Sequence, residues 1–115
     1  MSATQGKDAD ARVADLQVIE QELQAQHTQK QLFESQLMEA QSALKALEDA
    51  QEAFRIVGSV MVSADAKVLR DEVRSRVEAL QKRVEHIEKQ EARLRKQASA
   101  LQDAIMEDIK RSKVR

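Results

Sequence analysis

Two apolar seams that match each other layer for layer constrain this chain more than any other feature of its sequence. Stepping by three and four residues from Leu16 reaches Ile19, Leu23, Gln26, Lys30, Phe33, Leu37, Ala40, Leu44 and Leu47, and eight of these ten positions are apolar. The same stepping from Val73 reaches Val77, Leu80, Val84, Ile87, Glu91, Leu94, Ala98, Leu101 and Ile105, nine of ten apolar. Such alternation keeps one face of a helix against a partner helix, whereas a half-buried strand needs a period of two. In an antiparallel pair the residue numbers in each layer add to a constant. The value 117 serves along the whole length, stacking Leu16 on Leu101, Ile19 on Ala98, Leu23 on Leu94, Phe33 on Val84, Leu37 on Leu80, Ala40 on Val77 and Leu44 on Val73. It also sets the polar interruptions Gln26 and Glu91 opposite each other, with Lys30 one step away to neutralise the carboxylate. A matched polar layer pins the register at some cost in stability.

The spacing therefore predicts two long helices, at about 8–50 and 66–110, each about 60 Å long at ~1.5 Å per residue. Proline is absent and only Gly6 and Gly58 are glycines, so little interrupts them. Asp8 or Asp10 is the expected cap of the first helix, and Ser63 or Asp65 that of the second. The 115 residues suffice for one domain, and an aromatic content of 2% leaves little material for a globular core. Residues 1–50 carry a net charge of −5 and residues 66–115 one of +5. Opposite charge favours one half lying against the other over pairing of like halves, although single surface pairs are weak. Residues 111–115 read as a short basic tail.

Between the helices lies a segment of different character, Phe54-Arg-Ile-Val-Gly-Ser-Val-Met-Val-Ser63. Two β-branched runs flank Gly58-Ser59, which predicts a hairpin over 54–63 with a type II′ turn and positive φ at Gly58. The pairs are Val57 with Val60, Ile56 with Met61, Arg55 with Val62 and Phe54 with Ser63. Val57, Val60 and Val62 then share one face, and Phe54, Ile56 and Met61 the other. A lone two-stranded hairpin is marginal in water. It either folds back on the end of the helix pair as a cap, or pairs edge to edge with hairpins of other chains into a shared sheet or barrel. The helices spend their apolar residues on each other, which favours assembly.

Other chemistries find little support. The N-terminus lacks the apolar core of a secretory signal, and no apolar run approaches membrane-spanning length. Cysteine is absent, which excludes disulfides and thiol chemistry. These features suggest a cytoplasmic protein. His27 and His86, with Glu88 nearby, fall off the seams, where a solvated histidine is more common than a zinc ligand. The carboxylates alternate with Lys and Arg on helix faces and have no cleft to tune them for acid–base work. Gly58 is no phosphate loop, so neither a cofactor nor ATP hydrolysis is expected. Lys110, Arg111, Lys113 and Arg115 form too short a basic run for nucleic acid, with no aromatic residue to stack on bases.

The one-hairpin layout, with "FRIVGSVMV" followed by "RVEALQKRVEHIEKQEARLRKQASALQDAI", resembles prefoldin over about residues 10–110, and specifically its beta-class subunits, which carry one hairpin where alpha-class subunits carry two. The resemblance implies a hexamer, in archaea of two alpha-class and four beta-class subunits, whose hairpins form a β-barrel platform. Phe54 belongs to that hairpin, and the family's assembly pattern is met at Ile56, Val57, Gly58, Val60, Met61 and Val62. It further implies coiled-coil tips that hold unfolded clients and pass them to a group II chaperonin without ATP. Helix ends fray, so the expected client-binding residues are Val13, Leu16, Ile19, Leu101, Ile105, Met106 and Ile109. The polar N-terminus and the basic C-terminal run depart from the family pattern. A different class of protein, an adaptor coiled coil that dimerises through its hairpin, is the competing reading.

Overall fold

The computed structural model describes the backbone of residues 2–114 and the side chains of residues 9–113. Four elements follow one another: helix α1 (Ser2–Glu48), strands β1 (Ala53–Val57) and β2 (Val60–Ala64), and helix α2 (Ala66–Val114). The strands form a two-stranded antiparallel sheet paired Ala53↔Ala64, Phe54↔Ser63, Arg55↔Val62, Ile56↔Met61 and Val57↔Val60. The register is the one the Gly58-Ser59 turn dictates.

All twenty seam positions read from the two helices are buried or half-buried. The chain divides into two units, each combining a stretch of α1 with a stretch of α2. Residues 30–86 form one, and residues 1–29 with 87–115 the other. In the first, Ala40, Val77 and Leu80 make a buried cluster against which Phe33, Leu37, Leu44 and Val73 pack. These are the layers that add to 117, so this stretch is an antiparallel heptad pair. The Arg83 guanidinium lies over the Phe33 ring, 5.4 Å from its centre, covering an aromatic that a two-helix layer leaves partly open. In the second unit Ile87, Glu91 and Ala98 are the buried seam positions of α2.

The helix ends differ in part from expectation. Asp65 caps α2: its carboxylate accepts from the Lys67 N–H at 2.9 Å, and its carbonyl accepts the first helical bond from Leu69 N–H at 3.0 Å. Neither Asp8 nor Asp10 caps α1, because helical backbone continues to Ser2 and places both inside the helix. No proline lies in this stretch, so no missing N–H breaks the helical ladder at residue 8, and Gly6 lowers helix propensity without ending it. Residues 111–114, expected as tail, continue α2 for the same reason; Arg115 lies outside the described residues.

Candidate assembly hairpin and helix-end surface

The hairpin's geometry follows from one glycine. Gly58 has φ of +61°, and no other described residue has positive φ. A positive angle at the first turn residue alone is the type II′ pattern, which matches the right-handed twist of the flanking strands. A Cβ placed at Gly58 would meet nothing within 4 Å, so backbone conformation and not space demands glycine here.

Beyond the turn the ribbon is uncovered. Phe54, Ile56, Val57, Val60, Met61 and Val62 are all exposed, from 41% at Val62 to 69% at Ile56. Both faces are represented. The hairpin therefore does not bury its apolar side chains against its own helices, and folding back as a cap is ruled out. A contiguous apolar surface on an open-edged ribbon marks an interaction site.

The base of the ribbon is fastened by residues of α2. Arg70 Nη1 donates to the carbonyl of Leu47 at 2.9 Å, with longer contacts to the carbonyls of Glu48 and Ala50 at 3.4 and 3.5 Å. It thereby serves as the C-cap of α1, whose last carbonyls have no helical donors. Arg55 of β1 pairs with Glu72 of α2. Ala53 and Ala66 are buried where strand and helix meet. Sequence reasoning found neither arginine contact; Arg70 reads as one more surface cation until its partners are in place.

In the unit of residues 1–29 and 87–115, the seven expected client-binding residues divide into two groups. Val13, Met106 and Ile109 are exposed, while Leu16, Ile19, Leu101 and Ile105 are half-buried in the seam. Ile19 and Leu101 also line a groove of about 450 Å³ with Asp15, Val18, Gln97 and Ala100. Val18 and Ala100 lie one helical step off the seam, which is why seam-reading passed over them. Beyond the seam an ion pair joins the two helices. Arg12 pairs with Asp108, whose side chain is nearly buried, and Arg111 approaches the same carboxylate at 3.9 Å.

Glu91 is the most buried side chain of the unit, 1% exposed. Arg95, one turn on, reaches its carboxylate at 3.3 Å, and His27 Nδ1 lies 3.9 Å away. His27 follows Gln26, so its approach places residues 26 and 91 in a common layer. The seam analysis put His27 off the seam, and it stays exposed there. Its ring edge reaches inward to the buried carboxylate.

A family model for prefoldin subunits matches residues 10–112, nearly the whole chain. The chain belongs to the prefoldin subunit family. Its structure is similar to the crystal structure of the prefoldin beta subunit from Thermococcus strain KS-1, with a TM-score of 0.81 and 26% identity over 87% of this chain and 90% of that one. No curated protein matches its sequence. Two long helices joined by one antiparallel hairpin are thus the prefoldin beta fold. Membership implies a chaperone and not an enzyme, and a prefoldin subunit works with other prefoldin subunits. Among the described residues no helix is long and apolar enough to cross a membrane.

Proposed function

We propose that this chain is an ATP-independent holdase subunit, acting in the cytoplasm as one arm of a hetero-hexamer. The hairpin joins it to alpha-class prefoldin subunits and to further copies of itself through Phe54, Ile56, Val57, Gly58, Val60, Met61 and Val62. The far helix ends hold non-native polypeptide through Val13, Leu16, Ile19, Leu101, Ile105, Met106 and Ile109, and the client passes to a group II chaperonin. The observation that carries this reading is the exposure of six large apolar side chains on both faces of an open-edged hairpin. Water-exposed apolar area of that extent is stabilised when neighbouring chains cover it, at about 25 cal/mol per Å². Several arms presenting weak apolar contacts give avidity without sequence specificity. Met106 suits such a surface because its thioether chain adapts to many partners.

Two measurements test it. Native mass of the chain mixed with an alpha-class subunit is expected to give a hexamer; a self-sufficient dimer indifferent to that subunit supports the adaptor reading instead. Replacing Val13, Met106 and Ile109 together by serine is expected to weaken suppression of client aggregation without ATP. Undiminished suppression by an assembled triple variant removes the helix ends as the client site.

A further inference from the structure

The helix pair of residues 1–29 and 87–115 has two unlike sides. His27 and Arg95 both reach Glu91, so they mark one side of the seam. Steps of seven lead from His27 back to Glu20 and Val13, and from Arg95 on to Gln102 and Ile109. The exposed Val13 and Ile109 therefore flank that side. Asp15 and Glu22 on α1, with Gln90 and Gln97 on α2, flank the other.

The second side is a channel. Its wider part, about 450 Å³, has Val18, Ile19, Ala100 and Leu101 for floor and walls. A narrower part of about 180 Å³ continues to Leu94, Gln26 and Arg93. Gln97 lines both parts and joins them. Asp15 and Glu22 edge the channel on α1. Arg93 edges it on α2, with the exposed Lys89 and Lys96 in the adjoining turns. Among the described residues Asp15, Glu22 and Arg93 take part in no ion pair, although Glu22 and Arg93 line the same hollow. The floor is thus apolar, one rim acidic and the other basic, and the rim charges are unspent.

We propose that this channel holds an amphipathic helix presented by a client, packed as a third helix on the pair, with basic side chains along one flank and acidic side chains along the other. The proposal rests on the holdase reading above and names the class of polypeptide held. Period decides for a helix. Asp15 to Glu22, Gln90 to Gln97 and Lys89 to Lys96 each span seven residues, two turns or about 10.5 Å. A heptad helix laid along the seam repeats at that interval and keeps one flank against one rim. An extended segment covers the same distance in about three residues, an odd step that turns its side chains to opposite faces. Charge decides the flanks, because a helix with like charges on both sides meets its own sign on one rim. The helix's apolar stripe fills the floor.

The test titrates the full chain, assembled with an alpha-class subunit, against fluorescent peptides of about three heptads, read by anisotropy. All carry leucine at the seam positions. The first has lysine on one flank and glutamate on the other. The second has glutamate on both. The third is the first with two central residues changed to proline, which removes the helix. The first is expected to bind about threefold more tightly than the second and about tenfold more tightly than the third. Asp15→Lys/Glu22→Lys makes both rims basic and is expected to reverse the order of the first two. Val18→Gln/Ala100→Gln obstructs the floor with good helix formers at exposed positions. It is expected to cost the first peptide about tenfold in affinity, with helix content by circular dichroism unchanged. Equal affinity for the first and third peptides overturns the inference, as does an order that does not reverse or full binding by the obstructed variant. Suppression of client aggregation by the same samples reads the proposed function separately. Intact suppression without helix binding overturns the inference alone, and a parent chain that suppresses nothing overturns both.

Discussion

Replacing Gln26 and Glu91 together by leucine is expected to stabilise the helix pair, although it deletes ion contacts. Glu91 is 1% exposed, and its carboxylate faces Arg95 at 3.3 Å and His27 at 3.9 Å. Gln26 Oε1 is buried and accepts no hydrogen bond. Leaving such an atom unsatisfied costs about 1–3 kcal/mol. A buried carboxylate costs several kcal/mol in lost hydration, and replacing a buried ion pair by apolar side chains of similar volume is often stabilising. Two leucines in the same layer remove both penalties and extend the apolar seam. The net gain is about 2–4 kcal/mol. At about 4 °C per kcal/mol for a chain of this size, the melting midpoint followed by circular dichroism rises by about 8–16 °C. Arg95→Ala perturbs the same layer in the opposite sense. It takes a cation from a buried carboxylate and lowers the midpoint by about 4–8 °C, discounted for the exposure of Arg95. The two signs together are the test. If the double leucine variant melts lower than the parent, the layer is a net stabiliser and the hydration argument is wrong.

Three further perturbations probe the hairpin turn, the end of α1 and the Arg12–Asp108 pair. Gly58→Ala meets no steric obstacle, so its cost is the φ of +61° alone, about 1–2 kcal/mol. It should appear as roughly tenfold weaker assembly in native mass titrations, with helix content unchanged. Arg70→Leu strips α1 of its C-cap at a cost of about 1–2 kcal/mol, and hydrogen exchange is expected to quicken at residues 44–53 first. Unaltered protection there means that water caps the helix equally well. Arg12→Ala leaves the nearly buried Asp108 with Arg111 at 3.9 Å, so exchange over residues 101–113 rises by about fivefold and loses much of its salt dependence.

What the sequence alone determined about this protein is everything carried by local period. The seams name their own register, because apolar residues every three or four positions select one helical face and antiparallel geometry fixes which layers meet. Val57-Gly-Ser-Val60 specifies a turn, and the turn specifies every strand pair beyond it. Tertiary structure alone decided what depends on where long polar side chains reach. Arg70 reads as a surface cation until the last carbonyls of α1 come within its span. Arg12 and Asp108 lie 96 residues apart and show no pattern that joins them. Val18 and Ala100 become a groove wall only when the two helices lie side by side. Periodicity encodes which side of an element turns inward, whereas contacts made at the ends of flexible side chains depend on distances that exist only after the chain has folded.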